Sequence, residues 1–325
     1  MKTILFFNNK GGVGKTTLVY HVAYMLGDLG YKTLAVDLDP QANLTSMFLD
    51  EERLIKIYEN ENKRLTILDS VKPLTKGLGD ITDAYIEKIN ENLFLIPGDL
   101  ELSLFEDRLS DNWGKCLDRD EAAFRVISSF YRIIKNAGLK YNFDYALIDV
   151  GTNLGAINRS TFISSDFIVV PMAADLFSLQ GLKNLGTAVI RWKSEWSDRY
   201  SRNPEPTLML PKGDVKPIGY IVMQHVATEG KPVRAYKTWA DKIPVIFRNF
   251  VLNENQTDDI IIDKDTYCLA LIKHYRSLMA MAQESRKPVF LLKPADGAIG
   301  SHYNAVKDVY RDFNALTNNI ISKCI

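Results

Sequence analysis

Two lysines, Lys10 and Lys15, bracket three glycines in the stretch N-N-K-G-G-V-G-K-T-T at residues 8–17. These residue types at this spacing suit the handling of a polyphosphate. Gly11, Gly12 and Gly14 let backbone N–H groups converge on phosphate oxygens, and a helix opening directly behind them adds the favourable end of its dipole. Lys15 would meet the β- and γ-phosphates, and the Thr16 hydroxyl would sit on Mg2+, with Val13 and Thr17 completing the loop. Hydrolysis of a nucleoside triphosphate also needs an acidic residue on the metal side and a positioned water. Asp149, which closes the apolar run Y-A-L-I-D, is the candidate for the first. Asp37 and Asp39, in D-L-D-P-Q-A-N at 37–43, are the carboxylates available for the second, with Asn43 in the same loop.

Such groups meet only if a strand, a tight loop and a helix follow one another. Residues 4–7 read as a buried strand, and 18–26 have helical apolar spacing. Further buried strands are expected at 32–37, 93–96, 145–149, 167–170 and 218–223, with 289–292 as another. Helical stretches lie between them, among them 122–134, ended near Gly138. The alternation predicts an α/β fold, a doubly wound and mostly parallel sheet flanked by helices, with the site at the C-terminal edge of the strands. The polar stretches at 50–92 (with a turn at 76–79), 194–217 and 225–265 are expected on the surface. The whole chain, 1–325, reads as a single domain with surface insertions near 50–92 and 194–265.

The ordinary phosphate-loop pattern G-x-x-x-x-G-K-[ST] puts its first glycine at position 9, where this chain has Asn9, followed by Lys10. K-G-G-V-G-K-T-T matches residue for residue the deviant Walker A motif of the ParA/MinD/Soj-like ATPases, and the chain resembles that family. D-x-D-P-Q at 37–41 resembles its switch I, and the segments 93–99 and 164–182 resemble other family stretches. The likeness is weak over 50–90 and 190–290 and returns softly near 288–318. The family's switch II runs from Asp through two residues to Pro. Here Asp149 is followed by Val150, Gly151 and Thr152, so the proline is missing and that geometry stays open.

The resemblance implies Mg-dependent ATP hydrolysis by an ATP-dependent homodimer acting as a switch in plasmid or chromosome partition. It implies that Asp39 orients the attacking water, and that Lys10 crosses to the ATP of the other subunit. Thr16, Asp39 and Asp149 are then the metal-side residues. Non-specific, dimer-dependent DNA binding and a ParB-like or other stimulatory partner protein follow from the same likeness. Two alternatives stay open: a switch ATPase positioning another cargo or serving a mobile-element or defence system, and a metabolic ATPase or ligase of the same fold. No helix-turn-helix segment is expected ahead of the loop, which speaks against operator binding by an N-terminal domain.

Composition adds bounds. Lys+Arg and Asp+Glu are both 40, so DNA contact would need a local patch. Two mixtures of basic and aromatic residues offer one, at 191–199 (Arg191, Trp192, Lys193, Trp196, Arg199) and at 231–242 (Lys231, Arg234, Tyr236, Lys237, Trp239, Lys242). Both also have the composition of a solvated helix face with its aromatics turned inward. Cys116, Cys268 and Cys324 lie far apart without a C-x-x-C pair, so reduced thiols in a cytoplasmic protein are expected. The first strand begins too early to leave room for a signal peptide. No apolar run reaches the ~20 residues of a membrane span. In 301–324, Tyr303, Val306, Val309, Tyr310, Phe313, Leu316, Ile320 and Ile321 share one helical face, while Lys307, Arg311 and Lys323 are offset by Asp308 and Asp312. That balance predicts packing on the sheet instead of membrane targeting.

Overall fold

The computed structural model describes residues 1–59, 64–225, 227–228, 231–232, 234–275 and 277–325, with backbone alone for 224–225, 227–228, 231–232 and 234–236. The sheet begins with β1 (Lys2–Phe6), β2 (Thr33–Asp37), the short β3 (Glu87–Lys88) and β4 (Leu93–Ile96). It continues with β5 (Tyr145–Asp149), β6 (Phe167–Met172) and β7 (Lys216–His225). A separate two-stranded ribbon, β8 (Ala227–Thr228) and β9 (Lys231–Pro232), precedes the edge strand β10 (Cys268–Lys273). The order across the sheet is β10-β7-β6-β1-β5-β2-β4-β3, and every pairing is parallel except β3 with β4.

Both faces of the sheet are apolar, as parallel strands require. Leu5, Leu34, Val36, Ile148, Ile168 and Val170 point into one core, and Ile4, Phe6, Ala35, Leu147, Phe167 and Val169 into the other. The first core is covered by α4 (Ile67–Lys76), α5 (Ser103–Lys115), α6 (Glu121–Ile127), α7 (Ser129–Tyr141), α8 (Ala156–Ile163) and α9 (Leu176–Tyr200). The second takes α1 (Lys15–Asp28), α2 (Asn43–Phe48), α3 (Glu51–Tyr58), α12 (Ser277–Ser285) and α13 (Ser301–Lys323); α10 (Arg234–Ala240) and α11 (Ile243–Ile246) lie between β9 and β10. In α13 the residues Val306, Val309, Phe313, Leu316 and Ile320 are buried beside α1, so this helix packs on the sheet as expected. No helix among the described residues is long and apolar enough to cross a membrane.

Several boundaries differ from the sequence reading. Val289–Leu291 is a turn of 3-10 helix, not a strand: Pro288 and Pro294 bracket it, and Val289 and Phe290 fill the space under α13. The edge place in the sheet goes to β10 instead. The stretch 122–134 is two helices broken at Ser128, and α7 runs through Gly138 to Tyr141, where Asn142 turns it off with φ 55°. Polar composition also hid core residues. Ile57, Ile67, Val71 and Leu74 are buried within 50–92, and Trp196, Ile243, Phe247 and Val251 within 194–265. These segments carry polar outer faces over apolar inner ones.

Candidate active site

The strand order builds the site. Phe6 pairs with Asp149, and Asp149 pairs on its other side with Asp37, so the loop leaving β1 and both carboxylates share one edge. Chain reversal in that loop runs through Gly12 (φ 74°) and Gly14 (φ 84°), a left-handed conformation that L side chains resist. Gly14 is the N-cap of α1, which therefore starts at Lys15, three residues earlier than its apolar spacing suggests. Asn8 fastens the loop to the neighbouring strand: its amide donates to the Pro171 carbonyl at 2.6 Å and its oxygen accepts from the Lys10 N–H at 3.1 Å.

Lys15 is 5% exposed, and its ammonium donates to the Asp149 carboxylate and the Val150 carbonyl. The Thr16 hydroxyl donates to the other Asp149 oxygen at 2.7 Å. Burial pushes the Asp149 carboxyl above its ordinary range, with Lys15 and Thr16 pulling the other way. Asp37 is set apart from the chemistry. One of its oxygens accepts from the Thr45 N–H and hydroxyl at 2.8 and 2.7 Å, and the other from the Asp39 N–H at 3.2 Å. Burial, then the neighbouring Asp149 charge, pushes its carboxyl up to about 7. It braces the loop that presents Asp39, whose own carboxylate accepts from the Gln41 N–H at 3.0 Å and faces Gly151.

A cleft of about 450 Å3 opens over these groups, lined by Lys10, Gly12, Val13, Gly14, Lys15, Thr16, Thr17, Asp39 and Asn43. Thr152 of the β5–α8 loop and Ser46, Met47 and Gln283 also border it, and sequence reasoning had no signal for the last three. Beside it lies a pocket of about 230 Å3 walled by Gly14, Thr17, His21, Met223, Ile272 and Tyr275. Its far wall comes from β7, β10 and α12, over 200 residues from the loop, and nothing in the sequence announced it. His21 joins the two regions. The Val289 N–H donates to its Nε2 at 3.1 Å, so Nδ1 carries the proton that it gives to the Thr17 carbonyl at 2.7 Å. Burial lowers the His21 pKa to about 4.

The loop after Asp149 has no proline, and side chains from two helices hold it instead. The Asn158 amide donates to the carbonyls of Gly151 and Asn153 at 2.9 and 2.5 Å, and Glu106 accepts the Ala156 N–H. Lys10 stands at the rim. Its ammonium lies 2.5 Å from Asp175 and 3.2 Å from the Ser178 hydroxyl, so within one chain it rests on the start of α9. Asp175 also caps that helix through the Ser178 N–H at 2.9 Å. Partial burial opposes ionisation of Asp175, but Lys10 and Ser178 outweigh it and hold the carboxyl below its usual range.

Among the described residues neither basic-aromatic stretch forms a stacking platform. Trp192 and Trp196 are in the core, and Arg199 is buried with its guanidinium 4.5 Å from the Trp113 ring centroid. In the second stretch the side chains of Lys231, Arg234 and Tyr236 lie outside the described residues. Trp239 packs on the core with Lys242 above its ring at 5.0 Å, leaving Lys237 exposed.

Thr16, Asp39 and Asp149 present hard oxygen donors, the set that suits Mg2+. Among the described residues no three His, Cys, Asp or Glu side chains gather into a cage.

Residues 1–199 match the AAA_31 family model, described as an AAA domain. The chain is 30% identical over 193 residues to the chromosome-partitioning ATPase Soj of Treponema pallidum, covering 59% of this chain and 65% of that protein. The chain spans just under two thirds of the length of its first-matching relatives. In fold it is similar to protein DIP2308 of Corynebacterium diphtheriae, with TM-score 0.72 and 24% identity over 99% of this chain and 98% of that one. A candidate plasmid partition protein of Borrelia burgdorferi B31, bound to AMPPNP, superposes with TM-score 0.61 and 21% identity over 99% of both chains. The match over more than half the chain, on a P-loop site at the edge of a mostly parallel sheet, places this chain in the AAA_31 family, among the ParA/MinD/Soj-like P-loop ATPases.

Proposed function

We propose that the protein is a cytoplasmic, Mg-dependent ATPase that works as an ATP-dependent dimerising switch, in plasmid or chromosome partition. The observation that carries this reading is the cleft itself, with one lysine buried against Asp149 at its base and a second half-buried at its rim. In this reading the loop N–H groups and Lys15 bind the phosphates, and the base lies in the pocket between Thr17, Met223 and Ile272. Thr16, Asp149 and the Asp39 side would hold Mg2+, which would supply charge to the developing phosphate oxygens. Lys15 leaves Asp149 to meet the phosphates, so nucleotide takes the carboxylate's place as the partner of this buried ammonium. Asp39, anchored through Gln41 and beside Gly151, orients the attacking water. Lys10 leaves Asp175 and reaches the nucleotide of a second copy, delivering charge to the transferring group as an arginine finger does.

The Borrelia relative bound to AMPPNP and the partitioning ATPase from Treponema support ATP and the partition role. With zero formal net charge, DNA is bound without sequence preference and only when nucleotide joins two copies. A ParB-like or other stimulatory protein then resets the switch. Sedimentation with a hydrolysis-resistant ATP analogue tests the core of this reading. A shift from monomer to dimer, with Mg-dependent turnover of ATP itself, is expected. A chain that stays monomeric and inactive overturns it. Bulk DNA retention that is equal without nucleotide, or undiminished by high salt, removes the DNA part alone.

A further inference from the structure

Tyr20 of α1 is buried, yet its hydroxyl makes no hydrogen bond. Burial first, then the neighbouring Tyr24, raises its pKa, while the Arg286 guanidinium pulls the other way. The hydroxyl therefore stays protonated, a donor within reach of a cation's field. A buried donor left unpaired costs stability unless a ligand supplies the acceptor. Tyr20 lines a pocket of about 180 Å3 between α1, α2 and α12, with Arg286 just beyond the end of α12. Its apolar wall comes from His21, Met47, Met279 and Ala282. Ser46, Met47 and Gln283 also border the nucleotide cleft, but no residue of the phosphate loop lines this pocket.

The charge around this pocket has one sign. Arg286 donates to the Leu49 carbonyl and forms no ion pair among the described residues. Lys287 is already engaged by Asp296 at 2.7 Å. His21 has both ring nitrogens committed and offers only a neutral ring face. No Asp or Glu lines the pocket. We propose that it binds a compact carboxylate carrying one apolar ring, the carboxylate on the Tyr20 hydroxyl and the Arg286 guanidinium, the ring against Met47, Met279 and Ala282. Size sets the body of the ligand, since an apolar cavity of about 150 Å3 takes up benzene. Charge sets its head: a carboxylate meets the guanidinium fork in charge-assisted bonds, stronger than neutral ones. The two thioether side chains adapt to a flat apolar ring. The site rests on the reading that puts the nucleotide base in the pocket beside Thr17 and Met223, which leaves this one to a different molecule.

The test is calorimetric titration of the full chain with benzoate, and with benzyl alcohol as its uncharged counterpart, with and without Mg2+ and a saturating hydrolysis-resistant ATP analogue. Benzoate should bind saturably, benzyl alcohol at least roughly tenfold more weakly, and the analogue should leave benzoate affinity unchanged. Tyr20→Phe and Arg286→Gln should each weaken benzoate roughly tenfold or more and keep analogue affinity. Tyr20→Phe should also unfold at no lower urea than wild type, because the hydroxyl it removes is unpaired. A wild type without saturable benzoate binding overturns the site, as does equal binding of benzyl alcohol. Either variant binding benzoate like wild type overturns it too, and so does a Tyr20→Phe protein that unfolds at lower urea. Displacement of benzoate by the analogue would place the base here, overturning both this site and the base assignment while leaving the ATPase reading intact.

Discussion

Lys15 and Lys10 leave the same loop five residues apart and meet opposite surroundings. Lys15 is buried against Asp149 and the Val150 carbonyl, at the first position of α1. Lys10 is at the rim, on an aspartate that already has a second duty as a helix cap. A buried ammonium is expensive to leave unpaired, so Lys15 is committed to whichever anion fills the base of the cleft. A half-exposed pair is worth ~1 kcal/mol or less, so Lys10 can change partners at small cost. The difference separates a group built for binding from one built for exchange.

The comparison breaks hardest at Lys15. Lys15→Ala should abolish ATP binding and lower turnover by roughly 10³-fold or more, read by equilibrium binding and phosphate release. Full activity in that variant would remove the P-loop assignment. Lys10→Ala should keep monomer ATP binding within about twofold yet lose analogue-induced dimerisation and roughly 10²-fold or more in turnover. If it loses binding as completely as Lys15→Ala, the two lysines share one task and the contrast fails. Asp39→Ala sharpens the inner end: ATP binding and dimerisation survive while hydrolysis falls by roughly 10²-fold, so the ATP-bound dimer accumulates. Loss of binding there would instead make Asp39 necessary for holding the nucleotide, and its role in orienting the water would fall.

The smallest expected effect is on stability. His21 holds α1 to the C-terminal region as a neutral ring, with its pKa lowered from 6.5 to about 4. Above pH 6.5 neither folded nor unfolded state binds this proton and the group adds no pH dependence. As pH falls from 6.5 towards 4 the unfolded chain takes up a proton that the folded one refuses, so stability is lost. At pH 5 that loss is about 2 kcal/mol relative to pH 7.5. Asp37, pushed up to about 7, has the opposite sign and regains stability as pH falls from 7 towards 3.8. His21→Gln should thus flatten the acid-side loss and leave Asp37's slope visible in urea titrations at the two pH values. An unchanged difference between wild type and variant from pH 7.5 to 5 would mean that His21 is charged in the folded protein.

How much of this was legible depended on how far apart the cooperating residues are. The strands at 4–7, 145–149 and 167–170 announced themselves as short apolar runs because parallel strands buried on both faces must be apolar throughout. The turn at 289–291 is just as apolar and deceived for that reason: local composition reports burial, and whether a buried segment pairs with a neighbour is settled elsewhere. Phe247 and Val251 were missed because a short helix burying one side among polar residues leaves little periodicity to read.

The phosphate loop is eight consecutive residues whose chemistry lies in backbone conformation and two adjacent side chains. The placing of its glycines, Lys15 and Thr16 between a strand and a helix was therefore legible in the sequence, while the left-handed turns at Gly12 and Gly14 came with the structure. Asp149 was also within reach, since a carboxylate ending an apolar run must emerge at the edge of a parallel sheet; the run 33–37 ends in Asp37, and only the family resemblance singled out Asp39 beyond it. Which strand lies beside which was not within reach. Only the placing of β6 next to β1 carries Asp175 to Lys10, and only the placing of β7 and β10 brings Met223 and Ile272 to Thr17. Those meetings depend on how two apolar cores close over one sheet, a property of the whole chain that no local stretch encodes.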